Sequence, residues 1–450
     1  MRKRGLAIPL ALLPGAADAH ASEQGLVLLL PTDFYIAAGT ASVAATVLLL
    51  AALPDTWVSA AFRSRRVRRL RPGPWLSWLS FVLMLALIWT GLTGPRDPRM
   101  NALPLSVWTV GWIGFTALVG LLGTPWARLN PWRGPVGLLR ALGIRTSWHL
   151  PAKAAPFIAL AGFMGFAAFQ LADPAPSDPA RLARLLAAYW FAVLLGALAY
   201  GPRFLAKAEI FAAVFTCFGR TGLFHRERIG LPGWQILTRP APPLGLAILM
   251  VALLGTGSFD GLNETFWWLG HIGINPLEFP GRSAVIAPTL IGLIASNLIL
   301  LAAFTLCLKA GLLLSGGLPL KSAFRTFAPT LLPIALGYHV AHYLTALLVD
   351  GQYALVAASD PFARGWDLLG LGEFYVTTGF FNTQATVRVI FLAQAGAVVL
   401  GHILSIVLAH GLARRHLPSR RALLSQLPLA AFMVAYTLFG LWLLAAPRGA

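Results

Sequence analysis

Residues 63–71 read RSRRVRRLR and lie between two long apolar stretches. Six arginines in nine residues cannot enter the hydrocarbon of a bilayer, so this segment marks a loop between two membrane-spanning helices. Loops on the cytoplasmic side of a membrane are enriched in lysine and arginine. We therefore predict that this loop is cytoplasmic, and alternation along the chain then assigns a side to every other loop.

The composition indicates a polytopic membrane protein. The chain is 57% hydrophobic and only 11% charged, whereas soluble domains carry roughly 25% charged residues. Helices satisfy their own backbone hydrogen bonds in lipid, so we predict an all-α helix bundle in the bacterial inner membrane, with both mature termini in the periplasm. Ten apolar segments are long enough to span or nearly so. The predicted spans are 34–53, 75–94, 104–123, 153–172, 183–201, 242–256, 285–307, 326–349, 387–411 and 426–446.

The distribution of basic residues agrees with this topology. The predicted cytoplasmic loops hold 24 of the 35 lysines and arginines, the opposite side holds 8, and the first four residues hold 3. The net charge of +19 therefore follows from membrane topology, and we expect the bilayer and a small-molecule or ion ligand as partners, with no nucleic acid. The sequence names no protein partner.

The N-terminus has the pattern of a secretory signal peptide. A basic start at residues 2–4 precedes a short apolar run and the small-x-small motif at 17–19, so residues 1–19 are predicted to be removed. Residues 20–450 then form one membrane domain that begins at His20. A terminal amine and an imidazole in one residue would suit copper. An uncleaved anchor, or a histidine that merely follows the cleavage site, stays open as the alternative.

Two regions do not resemble ordinary spans. Phenylalanines recur at near-helical spacing over 203–218, which predicts an amphipathic helix on the cytoplasmic face, or alternatively a re-entrant segment. Two long periplasmic loops, 257–284 and 350–386, hold acidic and aromatic residues. They are too short for folded domains but long enough to cover a cavity.

A histidine pair is the main candidate for chemistry. His339 and His342 lie three residues apart within a predicted span, so they share one helix face and can bind a metal or pass protons. Hydrogen bonding between packed helices is an equally good explanation for two such residues. Further ligands must come from loops on the same side, and the candidates are His271, Asp260 and Glu264, with His20 as a weaker one.

The ion that such a site would hold depends on its ligands. Imidazoles with carboxylates favour zinc, manganese or iron, whereas His20 joined to the histidine pair would favour copper. We therefore predict zinc or copper as the cofactor. Further possible ligands are Asn263 in the first long loop, Asp360, Asp367 and Glu373 in the second, and Asp33 near the N-terminus. Each of these alone is more typical of a solvated loop.

The chain resembles the bacterial membrane proteins called fenitrothion hydrolases over most of its mature length. The matching motifs are His20 before the first span, LNPWR at 129–133, FDG at 259–261 with ET at 264–265, YHVAHY at 338–343, DGQY at 350–353 and SDPFARGWD at 359–367. The resemblance implies a multi-spanning fold and, by its name, hydrolysis of an organophosphorus ester.

Three function classes remain open on the sequence. The first is a hydrolase in which a metal ion lowers the pKa of a bound water. The second is a transporter of a small solute or metal ion, and the third is a membrane factor that delivers metal to a periplasmic enzyme or assembles it. A polar route past His402 to the cytoplasmic side would favour transport, while a closed cytoplasmic half would favour the other two classes.

The predicted orientation can be tested with a reporter enzyme that is active only in the periplasm. Fusions after Gly94 or Gly365 should be active, because both positions lie in loops poor in basic residues. Fusions after Gly73 or Gly134 should be silent. An active fusion after Gly73 would overturn the orientation of the whole chain, since every other loop is assigned from this one.

Overall fold

The computed structural model describes residues 26–52, 56–68, 73–146 and 148–448. The predicted signal peptide 1–19 and the candidate ligand His20 lie outside the described residues. Within them, ten helices are long and apolar enough to cross a membrane, and this establishes a multi-pass membrane protein. They are α1 (Thr32–Ala52), α2 (Trp75–Thr93), α3 (Ala102–Leu122), α4 (Ala155–Ala172), α5 (Pro179–Tyr200), α6 (Leu244–Asn263), α7 (Ile286–Ser315), α8 (Leu332–Ser359), α9 (Gln384–His416) and α10 (Ser419–Ala445).

The predicted all-α architecture with ten long apolar helices is confirmed, although several boundaries differ. Helix α6 was predicted to end at 256 and continues to Asn263, because its polar second half is buried inside the bundle. Helix α8 begins at Leu332 rather than 326 and extends to Ser359. A short helix, Leu320–Phe327, and a 3-10 turn, Ala328–Leu331, precede it, and Pro333 occupies the first turn, where proline costs no hydrogen bond.

The loops gather at two ends of the bundle. We call the end with residues 56–68, 123–146, 148–154, 201–243 and 316–319 the basic end. The end with residues 94–101, 173–178, 264–285 and 360–383 is called the acidic end. At the basic end, the arginine-rich segment contributes a strand, β1 (Arg65–Arg66), to a small antiparallel sheet with β2 (Phe224–His225) and β3 (Arg228–Ile229), in the order β1-β3-β2. Arg65 lies opposite Ile229, and Phe224 pairs with the same residue from the other side.

Short helices complete both ends. At the basic end these are Thr56–Ala61, Trp126–Leu129, Arg133–Ala141, Pro202–Lys207, Ile210–Phe218 and Trp234–Thr238. At the acidic end they are Phe266–His271 and the 3-10 turns Pro276–Glu278, Arg282–Val285 and Gly379–Phe381.

The region predicted as one amphipathic helix over 203–218 is instead two helices, Pro202–Lys207 and Ile210–Phe218. Glu209 separates them and accepts hydrogen bonds from the backbone N–H groups of Phe211 and Ala212, which stabilises the start of the second helix. This second helix is buried among α3, α4, α6 and α8 rather than lying on a surface. The re-entrant alternative stays a prediction, and we use the name re-entrant helix for Ile210–Phe218 with that meaning.

Helix α3 changes its geometry in the middle. Residues Leu105–Phe115 form a π-helix between α-helical ends. Most π-helices are single-turn bulges, so a stretch of eleven residues is unusually long. Such bulges occur frequently at functional sites. It carries Trp108 and Trp112.

Helix α6 is the central helix of the bundle. In its most apolar window 78% of the residues are buried, compared with 11% in α1. The outer helices instead expose large apolar side chains, as lipid-facing helices do; examples are Leu83, Trp89, Phe191, Ile299 and Leu313. A carboxylate on α6 is therefore surrounded by protein on all sides except where a cavity reaches it.

Helices α8 and α9 approach each other at two reciprocal glycines. A Cβ atom at Gly337 would lie 2.4 Å from the carbonyl oxygen of Ala397, and one at Gly401 would lie 2.5 Å from that of Pro333. Both distances are too short for any side chain, so the two backbones are in direct contact. Glycine at such positions is typical of packed spanning helices.

Substitution of Gly401 by alanine should destabilise the bundle by about 1–3 kcal/mol, because the new methyl group must push α8 away. Gly396 on the same helix is the matched control, since nothing lies within 4 Å of a Cβ atom placed there. Gly396→Ala should therefore leave stability unchanged or slightly raised. Thermal unfolding in detergent, followed by tryptophan fluorescence, measures both. Equal midpoints for the two variants would contradict the close packing of α8 and α9.

Candidate functional site

Asp260 on the central helix α6 is the core of the candidate site. It is 7% exposed, and a buried carboxylate is costly unless its charge is compensated. Two side chains of α8 supply that compensation at the same carboxylate oxygen. The Tyr343 hydroxyl donates a hydrogen bond to Oδ2, and the Nε2 atom of His342 lies 3.3 Å from the same oxygen. Asp260, His342 and Tyr343 are called the acidic triad below.

Tyr343 joins the acidic triad to two further helices. Its hydroxyl oxygen accepts hydrogen bonds from Gln170 Nε2 of α4 at 2.7 Å and from Trp112 Nε1 of α3 at 3.2 Å. With its own proton donated to Asp260, the hydroxyl has one donor bond and two acceptor bonds, which uses its full capacity. Four helices thus hold one phenol in a fixed position. The π-helical stretch of α3 places Trp112 in this network.

A cavity of about 380 Å³ lies above the acidic triad, on the side of the acidic end. Asp260, His342 and Tyr343 form part of its lining, and Glu264 lines it one helical turn after Asp260. Aromatic residues make up much of the wall, namely Trp108, Trp112, Trp268 and Phe279. This volume and this mixture of apolar walls with a few polar groups are typical of sites for small organic molecules.

Arg282 fixes the covering loop of this cavity. Its guanidinium donates to the carbonyl oxygens of Gln170, Leu171 and Asp173 at 2.7–3.1 Å, at the C-terminal end of α4. Those carbonyls lack partners within their own helix and favour a cation. The loop predicted as a lid over 257–284 therefore begins as the end of α6 and is attached to α4 at its far end.

A second, smaller cavity of about 20 Å³ lies beneath the acidic triad. Its lining includes His339 and Phe218, the last residue of the re-entrant helix, together with Phe163 and Leu253. These apolar side chains are all buried. Neither of the two cavities includes His402, which is buried and whose Nδ1 atom lies 2.9 Å from the carbonyl oxygen of Val398 in its own helix.

The structure brings only some of the predicted site residues together. Asp260 and His342 are in contact, and Glu264 lies at the rim of the same cavity. His339 points elsewhere, because its Nε2 atom lies 3.3 Å from the carbonyl oxygen of Ile113 on α3. His271 is exposed outside the cavity lining, where its ring packs on Trp267 and its Nδ1 atom lies 2.7 Å from the Trp267 carbonyl.

Two ligand candidates in the second long loop, Asp360 and Asp367, accept hydrogen bonds from the backbone of that loop. Asp367 accepts hydrogen bonds from the backbone N–H groups of Gly372 and Leu371, which lower the pKa of its carboxyl group. Asp360 accepts from the N–H groups of Arg364 and Gly365 in the same way. Neither carboxylate lines the cavity. They shape the turn in which they lie.

Sequence reasoning missed three members of this network. Tyr343 stands in the motif at 338–343 that drew attention to the histidines, yet its role depends on Asp260, which is 83 residues away. Gln170 is an amide in an otherwise apolar span, and that signal was available. Trp112 has no sequence signal, because tryptophan is common throughout this chain.

A zinc or copper site needs ligands that converge on one point. His342 and His339 make their contacts with different helices, α6 and α3. In the part of the chain that the structure describes, no three histidine, cysteine, aspartate or glutamate side chains group closely enough to hold an ion. The cofactor stays a prediction, and no chemical step below depends on it.

Comparisons with protein-family models, with curated proteins and with solved structures find no match to this chain. The resemblance to the fenitrothion hydrolases therefore stays an expectation from the sequence motifs.

Metal analysis of the purified protein decides the cofactor. If His339 and His342 form a metal site, the wild-type protein should bind close to one equivalent of zinc or copper. The double variant His339→Gln/His342→Gln should lose this metal. The wild-type protein should also lose it as pH falls through about 6.5, where free imidazole becomes protonated. A folded wild-type protein that retains no ion after loading and desalting would reject the site. His271→Gln is the matched control, because the structure places that imidazole outside the cavity.

Proposed function

We propose that this protein is a bacterial inner-membrane hydrolase whose basic end faces the cytoplasm and whose cavity takes a small ester from the periplasm. One observation carries the proposal. Asp260 lines the cavity, and both contacts of the acidic triad, the hydrogen bond from Tyr343 and the 3.3 Å approach of His342 Nε2, are made to its Oδ2 atom. Since both of these contacts go to Oδ2, Oδ1 is the acceptor that this residue offers to a ligand or a water in the cavity.

The acidic triad suits a general base. Hydrogen bonds to the ionised form keep a carboxylate charged despite its burial, and both His342 and Tyr343 act in this sense. In the proposed reaction, Asp260 Oδ1 accepts a proton from a water molecule as the water oxygen attacks the phosphorus or acyl carbon of the ester. The bond to the leaving group breaks, the leaving group departs as an anion, and Asp260 releases its proton through the cavity to solvent, from which the leaving group takes up a proton.

The cavity walls fit the substrate class that the sequence resemblance suggests. Indole and phenyl faces favour a flat aromatic group, such as an aryloxide leaving group, over a strongly hydrated ligand. The ester must be small, since the cavity volume is about 380 Å³. The lining carries one cation, Arg282, which is already engaged by three carbonyl groups, so a neutral ester fits better than a phosphate dianion.

The position of the two cavities favours an enzyme over a transporter. Below the acidic triad the smaller cavity ends among Phe163, Phe218 and Leu253, and substrate and product would enter and leave on the same side. Transport remains the second candidate. The smaller cavity lies on the other side of the acidic triad from the larger one, and it reaches Phe218 of the re-entrant helix. A carrier with its inner gate closed would show the same two volumes.

The hydrolase proposal predicts that Asp260→Asn lowers turnover about 10²–10⁴-fold, the usual contribution of a general base. The substrate panel consists of neutral phosphotriesters and carboxylic esters that release 4-nitrophenolate, with the protein reconstituted in lipid nanodiscs. Asp97→Asn is the control, because Asp97 is an exposed carboxylate at the same end of the bundle and lies outside the cavity lining.

Wild-type turnover that does not exceed that of Asp260→Asn on any member of the panel would overturn the hydrolase proposal. Accumulation of an intact ester inside proteoliposomes, abolished by Asp260→Asn, would establish transport instead.

A further inference from the structure

Four arginines at the basic end donate hydrogen bonds to one short stretch of chain, residues 235–242. The donors and acceptors are Arg239 to Gln235 Oε1 at 3.4 Å, Arg415 to the Leu237 carbonyl, Arg220 to the Pro240 carbonyl at 3.3 and 3.4 Å, and Arg325 to the Pro242 carbonyl at 2.7 Å. We call residues 235–242 together with these four guanidinium groups the arginine segment. All of its acceptors are neutral oxygen atoms.

Neutral acceptors satisfy the hydrogen bonds of a guanidinium group but leave its charge uncompensated. In the part of the chain that the structure describes, no carboxylate forms an ion pair with any of the four arginines. Glu209, a buried carboxylate of the same end, is instead engaged by Trp126, by Tyr189 and by the first N–H groups of the re-entrant helix. Partly buried charges without a counter-ion are costly, so the arginine segment favours the approach of an anion.

Arg220 shows this imbalance most clearly. It is 5% exposed, its Nε atom has no partner among the described residues, and its two terminal nitrogen atoms share one carbonyl oxygen. Burial and, next in size, the positive charge of Arg239 lower the pKa of the Arg220 guanidinium to about 10, so the group remains charged at neutral pH. Two like charges that are close enough to disfavour each other are both stabilised by one anion.

The arginine segment is accessible through its other members. Arg415 is exposed, and Arg239 and Arg325 are half-buried. Successive acceptors are two or three residues apart, which is at most about 11 Å of extended chain and close to the screening length of about 10 Å at 0.1 M salt. The four charges therefore act together on an anion at the surface, and Arg220 contributes from behind without touching it.

The position of the arginine segment in the bundle indicates the source of the anion. Pro242 lies two residues before the start of α6, and Arg415 lies in the last turn of α9. The ends of spanning helices lie at the level of the lipid headgroups, where basic sites bind anionic phospholipids. Guanidinium groups also match the oxygen atoms of phosphate in pairs.

We infer that the arginine segment binds a phosphate group, supplied by the headgroup of an anionic phospholipid. Arg239 and Arg415 contact the phosphate from the accessible side, and Arg220 strengthens the positive potential behind them. This site lies at the opposite end of the bundle from the cavity above the acidic triad, so the inference does not depend on the proposed hydrolase function.

Thermal unfolding of the purified protein in neutral detergent, followed by tryptophan fluorescence, tests the binding. Added phosphatidylglycerol should raise the unfolding midpoint until the site is saturated. Phosphatidylcholine, whose headgroup has no net charge, should not. The double variant Arg239→Gln/Arg415→Gln should bind phosphatidylglycerol about 25-fold more weakly, because each arginine near an anionic headgroup contributes about fivefold.

Arg133→Gln is the matched control. Arg133 is also an exposed arginine of the basic end that donates to a carbonyl oxygen, that of Ala127, but it lies outside the arginine segment. Its loss should leave the affinity for phosphatidylglycerol at the wild-type value. If the double variant does not fold, Arg415→Gln alone removes an exposed side chain and should still weaken binding about fivefold.

Inorganic phosphate distinguishes the two sources of the anion. A midpoint that rises with inorganic phosphate alone, and no longer does so in the double variant, would retain the phosphate site and replace the phospholipid by a soluble phosphate. Equal affinity of the double variant and Arg133→Gln for phosphatidylglycerol would overturn the inference. A wild-type midpoint that responds to neither phosphatidylglycerol nor inorganic phosphate would overturn it as well.

Discussion

The interaction on which the rest of this structure depends is the pairing of Asp260 with His342 and Tyr343 across helices α6 and α8. A carboxylate inside a helix bundle is stable only if neighbouring groups take over the role of water. Here the neighbours come from α8 directly and from α3 and α4 through Tyr343. Helix α6 carries the Asp260 carboxylate, α8 carries its two partners, and the π-helical stretch of α3 carries Trp112, which donates to Tyr343.

The close contacts between helix backbones make this convergence possible. Gly337 and Gly401 let α8 and α9 touch, and Gly261 lets the Tyr338 hydroxyl rest against α6. Each of these glycines allows a separation that a methyl group would prevent. The polar groups of α8 are therefore placed within hydrogen-bond distance of α6 by packing, with no flexible loop between them, which favours a fixed geometry over an adaptable one.

The two ends of the bundle have different roles. At the basic end, short helices and a small sheet pack together, and the helix Ile210–Phe218 places its last phenylalanine beneath the acidic triad. At the acidic end, the cavity opens below a loop that Arg282 ties to α4. The larger of the two cavities lies at the acidic end, and this asymmetry is what the proposed hydrolase relies on.

The sequence alone determined the membrane class, the ten long apolar helices and a short set of polar residues that included Asp260 and His342. The spans follow from local composition, and the polar candidates follow from the cost of placing polar groups in lipid. Both can be read from a short stretch of chain. Only the tertiary structure decided that His342 pairs with Asp260 while His339 turns to α3, and that Tyr343 completes the site. A spanning helix is apolar on nearly every face, so its sequence does not reveal how it is rotated. That rotation is set by packing against the other helices, and it determines which polar side chains meet.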